Sequence, residues 1–329
     1  MFSTKDYPNL LKTSIFDSYS LGLSLNERIM ALIKFYPKYS LKRFLILIAN
    51  IIGQLLPDLF FSRYALISHD IIEKLAFEKG GRYLFIYNKF FHNRKIYIYK
   101  LDATNNLINF TKLSFNKEFK EKFKNEEKVL TDIKSLHLDF QVPNIICSIY
   151  TDQLSCLTVS SVSKSSRILR KKEIFPYDLI AEVRKITKPS IFSLKNLKEF
   201  SKKNNNGWIK NYINEIDFSH EVQGFSSHCD LGSENVFIEN TKNSKVYTII
   251  DWEDFTPNAP IAVDLVSIWL GKNHSKLKST FKPNISALSK DFIDFFSNES
   301  IGIINAVIAL IYLARIGNDL ALIFCKIEK

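Results

Sequence analysis

The sequence predicts an α+β chain of two lobes, a small antiparallel sheet with one helix followed by a larger, mainly helical lobe, with a helical extension ahead of both. Three observations carry this reading. At Gly80-Gly81, apolar residues at helical spacing give way to short aromatic and β-branched runs. The serine-rich stretch Ser160-Ser161-Val162-Ser163-Lys164-Ser165-Ser166 reads as a crossing between bodies. Beyond it, one strand pair with a polar turn interrupts an otherwise helical half. The expected division is residues 1–80 for the extension, 81–162 for the sheet lobe and 163–329 for the helical lobe. A chain of 329 residues is long enough for two such cores.

Residues 1–80 show no strand-like alternation. Leu41, Phe44, Leu45, Ile48, Ile51, Ile52 and Leu55 form a helical stripe behind Lys38, Lys42 and Arg43. A weak interfacial contact with an anionic membrane is one use of that arrangement. Packing in a core is the other, since isoleucine and leucine occupy most of the remaining faces as well. The apolar stretches 44–56 and 301–314 are shorter than the ~20 residues of a spanning helix. Asn50, Gly53 and Gln54 interrupt the first and Asn305 the second, so both are expected to be buried helices.

Tyr83 to Tyr87, Ile96 to Tyr99 and Leu107 to Leu113 read as three successive strands of a meander. A charged helix is expected over residues 117–136, with Leu130, Ile133 and Leu136 on its apolar side. Pro143 ends that unit, and Ile145 to Tyr150 and Ser155 to Val162 complete a sheet of about five strands. Residues 167–220 are expected to be mainly helical, with a break at Asn204-Asn205-Asn206-Gly207. After the strand pair come helices at 260–270 and 287–296 and an apolar region beyond Gly302.

A composition of 46% hydrophobic and 24% charged residues excludes a disordered chain. The net charge of +11 is uneven, because residues 1–165 carry 23 Lys and Arg against 15 Asp and Glu, and residues 166–329 carry 22 against 19. A basic surplus attracts phosphates, anionic membranes or nucleic acid, but no nucleic-acid motif is present, so no specific nucleic-acid partner is expected. Four scattered cysteines without a C-x-x-C pair exclude a disulfide framework and a zinc site. Reduced thiols and a start without the basic-then-apolar order of a secretory signal lead to an expected cytoplasmic location.

The strand pair concentrates the chemistry. Asn235 to Ile238 and Val246 to Ile250 flank the polar segment Glu239 to Lys245, which suits a hairpin loop. Antiparallel pairing would bring Asn235, which opens the first strand, beside Asp251, which follows the second. Asp230 precedes the hairpin at the same end. Two oxygen ligands beside a further carboxylate suit Mg²⁺.

His228-Cys229-Asp230-Leu231-Gly232-Ser233-Glu234-Asn235 resembles the H-x-D-x-x-x-x-N catalytic loop. Ile250-Asp251-Trp252-Glu253, with Pro260 and Asp264-Leu265 downstream, resembles the metal-binding segment of the aminoglycoside phosphotransferase and choline kinase-like family. The resemblance implies a protein kinase-like fold, with residues 81–162 as the nucleotide-binding lobe and 163–329 as the catalytic and acceptor-binding lobe. It implies an ATP-dependent O-phosphotransferase, a small-molecule kinase acting on a hydroxyl of a small molecule or carbohydrate, with Mg²⁺. Asp230 would be the catalytic base and His228 would support its loop. Asn235 and Asp251 would hold the metal. Lys112, on the third predicted strand, would bind the α- and β-phosphates, and Glu126 would hold that lysine.

Two departures from the family stand in the sequence. The loop Asn88 to Arg94 has no glycine, which leaves open a nucleotide-binding pseudokinase or scaffold with little chemistry. Cys229 stands where the family commonly has glycine, and a thiol there suggests sensitivity to oxidation or alkylation. The slightly basic second half points to a neutral or anionic acceptor, although Glu234, Glu253 and Asp254 are available for a local acidic pocket.

Overall fold

The computed structural model describes residues 18–21, 23–35, 41–55, 81–87, 95–152, 154–204, 206–242, 244–278 and 285–326. The chain divides into two compact units, Met1–Phe123 with Asn144–Lys164, and Lys124–Pro143 with Ser165–Lys329. The architecture is α+β, as expected.

The first unit holds six antiparallel strands: β1 (Ser18–Leu21), β2 (Arg82–Tyr87), β3 (Lys95–Leu101), β4 (Leu107–Ser114), β5 (Ile145–Tyr150) and β6 (Ser155–Ser160), in the order β1-β2-β3-β4-β6-β5. The last five are the strands expected from the sequence. Strand β1 corrects the expectation that residues 1–80 hold no strand. It pairs with β2 from Ser18↔Ile86 to Leu21↔Tyr83, and four residues are too few to show a period of two.

Helices α1 (Leu25–Phe35) and α2 (Leu41–Leu55) follow β1. Ser24 and Glu27 form part of a capping box at the start of α1, the Ser24 N–H donating to Glu27 Oε2 at 2.8 Å. Leu23, Ala31, Leu32 and Leu47 pack with Leu84, Ile86 and Leu101. Tyr83 and Phe85, which alternate with Leu84 and Ile86, are buried as well. Both faces of β2 are therefore covered, which is why its sequence is a continuous apolar run.

Helix α2 is not buried all round, contrary to expectation. Leu47 and Asn50 are inside, while Phe44, Leu45 and Ile48 are exposed. Lys38 and the side chains of Lys42 and Arg43, on which the membrane-contact reading rested, lie outside the described residues. Among the described residues no single helix is long and apolar enough to cross a membrane.

Helix α3 (Glu118–Lys134) starts in the first unit, where Lys95 lies 4.9 Å from the Phe119 ring and 5.9 Å from that of Phe123. Its residues from Lys124 onward belong to the second unit.

The second unit contains two three-stranded sheets. One is formed by β7 (Arg167–Ile168), β10 (Val236–Asn240) and β11 (Lys245–Ile249), with β10 central. The other is formed by β8 (Ser190–Ser193), β9 (Glu221–Ser227) and β12 (Thr256–Pro260), with β9 central. The β10–β11 hairpin was expected, whereas β7, β8, β9 and β12 were not. Strands β7 and β8 are only two and four residues long. Strand β12 carries Pro257 and Pro260 and a shift of register between Thr256 and Ala259, so its sequence reads as a turn.

The helices between 167 and 220 are short: α4 (Asp178–Arg184), α5 (Lys195–Ser201) and α6 (Gly207–Ile213). The tail is helical as expected, with α7 (Val263–Lys272), α8 (His274–Leu277), α9 (Ile285–Asn298), α10 (Ile303–Arg315) and α11 (Asp319–Cys325). Ala306 to Ala314 are buried throughout, so α10 is the buried core helix that its composition implied. Trp208, Trp269, Phe292, Phe296 and Phe324 stack around the same core, with ring centroids 4.5–5.6 Å apart.

Candidate active site

Strand β9 ends at Ser227, and Thr256 of β12 pairs directly opposite it. Everything between these two positions is one excursion of the chain. It runs through the loop 228–232, a single 3₁₀ turn at Ser233–Asn235, the β10–β11 hairpin and a second 3₁₀ turn at Trp252–Asp254. The hairpin register, Val236↔Ile249, continues one step further, where the Ile250 N–H donates to the Asn235 carbonyl at 3.0 Å. Asn235 and Asp251 are thus at the same end of the hairpin, as the spacing predicted.

Asp230 joins them there. Asn235 Nδ2 donates to the Asp230 carbonyl at 2.8 Å and to its Oδ2 at 3.1 Å. That commits the amide nitrogen to the loop and leaves Oδ1 as the acceptor end of the side chain. Burial pushes the Asp230 carboxyl well above the usual range, and the negative charges of Asp251, Glu234 and Asp254 add to the shift.

His228 is fully buried and holds the loop from both ring nitrogens. Nδ1 accepts the Asp230 N–H at 3.3 Å, so the ring proton is on Nε2, which donates to the Ile250 carbonyl at 2.9 Å. Desolvation lowers its pKa, which agrees with a neutral ring. The ring lies 4.6 Å from that of Trp252, which is fully buried and donates from Nε1 to the Ile249 carbonyl at 3.1 Å. Phe140 also stacks on Trp252, with ring centroids 5.8 Å apart.

Cys229 has φ 66°, in the left-handed region, which explains why glycine suits this position in the family that the loop resembles. Its side chain is buried, and burial with the nearby Asp264 raises its pKa well above the ordinary thiol value. This corrects the expectation of a reactive thiol, because a buried, protonated sulfur is a poor nucleophile. Asp251 is also left-handed, with φ 65°, a conformation that aspartate tolerates better than most residues.

Asp264, in the first turn of α7, anchors the loop. It accepts from Ser227 Oγ at 2.8 Å, from the Cys229 N–H at 3.0 Å and from the His228 N–H at 3.4 Å. Burial raises its pKa and these donors work against the rise. The sequence shows this residue but not its role, which depends on contacts 35 to 37 positions apart.

Glu126, on α3, is buried, and its neighbour Asn125 donates from Nδ2 to the Glu253 and Phe255 carbonyls at 3.3 and 2.9 Å. This ties α3 to the turn after Asp251. Carboxylate oxygens of Glu126, Asp251 and Glu253 lie within 4.8 Å of one another, close enough to share one cation. Glu253 was not expected in a metal set, and the Asp-x-Glu spacing across a 3₁₀ turn is the signal that would have found it. Lys112 belongs to the first unit, where it is buried on β4 opposite Tyr97 and Leu157. The glycine-free loop 88–94 lies outside the described residues.

No protein-family model matches the chain, and no curated protein matches it. Among solved structures it is similar to the aminoglycoside phosphotransferase APH(2'')-Ib with ADP bound, at a TM-score of 0.42 and 12% identity over 78% of this chain and 99% of that one. It is similar to APH(2'')-IIa in complex with gentamicin, at 0.42 and 13% over 78% and 94%. The third likeness is to WbdD crystallised with a kinase inhibitor, at 0.32 and 14% over 72% and 45%.

Proposed function

We propose that this chain is an ATP-dependent O-phosphotransferase that moves the γ-phosphoryl group to a hydroxyl of a small molecule or carbohydrate. The observation that carries the reading is the meeting of Asp230, Asn235 and Asp251 at one end of a hairpin, on a loop held by the buried Asp264. Asp230 has the environment of a base that gains from receiving a proton, because burial and neighbouring carboxylates both favour its protonated form. It would accept the proton of the acceptor hydroxyl as the new O–P bond forms and the bond from the γ-phosphorus to the leaving ADP oxygen breaks.

The donor set fits a hard divalent cation, since the Asp251 and Glu253 carboxylates and the Asn235 amide oxygen are all oxygen ligands. Asp251 and Glu253 would hold Mg²⁺ there, and the ion would supply charge neutralisation to the transferring group. Glu126 adds its carboxylate beside Asp251 and Glu253. Lys112 keeps the role that the resemblance implies for it, binding the α- and β-phosphates, and a cytoplasmic setting would supply the ATP.

The test is phosphate transfer from Mg·ATP across a panel of alcohols and sugars, read by mass shift. Asp230→Ala is expected to lower transfer by about 10²–10⁴-fold. Unchanged turnover in that variant would sink the assignment. Thermal stabilisation by nucleotide with no phosphate consumed on any acceptor would favour the scaffold instead.

A further inference from the structure

Between β7 and α4 the chain makes one tight turn. The Glu173 N–H donates to the Arg170 carbonyl at 2.9 Å, which makes Lys171 and Lys172 the two central residues of a β-turn. Arg170, Lys171 and Lys172 are all exposed. The turn is fixed at both ends. Before it, Ile168 pairs with Phe237, and the Leu169 N–H donates to the Val236 carbonyl at 2.8 Å. After it, Phe175 is buried, with its ring 5.8 Å from that of Tyr177. From Arg167 to Tyr177 the only carboxylate is Glu173. Its two oxygens accept from Arg167 at 2.6 and 2.7 Å, and Oε2 also accepts the Arg170 N–H at 2.8 Å. Glu173 and Arg167 thus offset each other inside the turn, and Arg170, Lys171 and Lys172 set the charge of its tip.

The residue that follows is apolar. Ile174 is 89% exposed, and Ile168 and Tyr177, which flank the turn, are 50% and 39% exposed. A lone isoleucine in water is ordinary. One that a braced turn holds directly after three cations makes the tip amphipathic. A soluble polyanion matches the cations and leaves the isoleucine in water. An anionic bilayer matches both, because its headgroups attract the cations while the acyl boundary takes the apolar side chain. A tyrosine suits the same boundary, with an apolar ring and a polar end. We propose that the 168–177 turn docks this protein on an anionic phospholipid surface, with Arg170, Lys171 and Lys172 against the headgroups and Ile174 inserted beneath them. Each cation strengthens binding to such a surface about fivefold, so three give about 10²-fold, a reversible attachment. The docking surface does not depend on the phosphotransferase reading.

The test is sedimentation of the full chain with vesicles of phosphatidylglycerol and phosphatidylcholine, against vesicles of phosphatidylcholine alone. Binding is expected to the first and not to the second, and to weaken as salt is raised. The double variant Lys171→Gln, Lys172→Gln is expected to weaken it about thirtyfold and Ile174→Ser about tenfold. Melting temperatures are expected to stay at the native value, because all three side chains are exposed. In Ile174→Trp, brominated lipid is expected to quench the emission that the variant adds to the native spectrum. Vesicle binding that these variants leave unchanged, or emission that the lipid does not quench, would overturn the docking. Equal binding to both kinds of vesicle overturns it as well. Loss in the lysine variant with no loss in Ile174→Ser overturns insertion and makes a soluble polyanion the occupant. A dimer seen without lipid by sedimentation velocity, and abolished by Ile174→Ser, overturns the proposal in favour of a second copy of the chain.

Discussion

Asp264 accepts the backbone N–H of Cys229 at 3.0 Å, so a buried carboxylate fixes the one residue of the 228–235 loop that is left-handed without being glycine. The same carboxylate takes the Ser227 hydroxyl and the His228 N–H. Replacing Asp264 by alanine takes the acceptor from the Ser227 hydroxyl and the His228 N–H and leaves the Cys229 N–H only Ser227 Oγ at 3.2 Å, at about 1–3 kcal/mol for each lost partner. Asp264→Ala is expected to lower the melting temperature markedly, and Asp264→Asn, which retains one acceptor oxygen, to lower it less. Equal melting of both variants and the native chain would show that the loop is held by something else.

The left-handed backbone at Cys229 sets the order of its substitutions. Glycine removes a strain of about 1–2 kcal/mol but loses the buried side chain, so Cys229→Gly is expected to fall close to the native stability. Cys229→Val, nearer in size, puts a β-branched residue in that conformation and is expected to be clearly less stable than the glycine variant. Chemical denaturation of the two decides it, and a valine variant at least as stable as the glycine one refutes the backbone argument.

The thiols respond to pH in a defined direction. Burial raises Cys229, Cys325 and Cys156, the last to about 12, whereas Cys147 is exposed. Brief iodoacetamide treatment of the native protein at mildly alkaline pH is expected to label Cys147 first and the buried three only on unfolding, as mass spectrometry of the digest would show. Above the ordinary thiol value of 9.0 the unfolded chain loses protons that the native chain keeps. The stability linked to these thiols is therefore complete below that pH and is lost as pH rises toward the raised native values. Labelling of Cys229 as fast as Cys147 would contradict its burial.

Glu126, Asp251 and Glu253 bring three carboxylates together, so removing one has opposite effects with and without a cation. Without divalent ions, Glu253→Gln is expected to melt above the native chain, because like-charge repulsion is relieved. With Mn²⁺ present it is expected to gain less stabilisation than the native chain, and to bind the ion at least about tenfold more weakly by electron paramagnetic resonance. Identical Mn²⁺ affinity in the two proteins would remove Glu253 from the cation site.

Much of this architecture is legible in the sequence where a period or a turn signal is local. Five strands of the first unit, the helix bearing Glu126 and the β10–β11 hairpin announce themselves through aromatic runs, apolar spacing and polar turns. Strands β1, β7 and β8 do not, because two to four residues are too short to show alternation. Strand β12 hides behind its two prolines. The half-exposed face of α2 was misread because its apolar composition is the same whether or not a neighbour covers it.

By itself the sequence determined the end-to-end meeting of Asn235 and Asp251 and the approach of Asp230, since an antiparallel hairpin brings its two ends together whatever surrounds it. Only the tertiary structure decided that Asp264 grips the loop, that Glu126 and Glu253 stand beside Asp251, and that the Cys229 thiol is shut away from solvent. The physical reason is separation along the chain. Contacts between residues tens of positions apart depend on how β9, β12, α3 and α7 pack, and no local pattern of side chains encodes that packing.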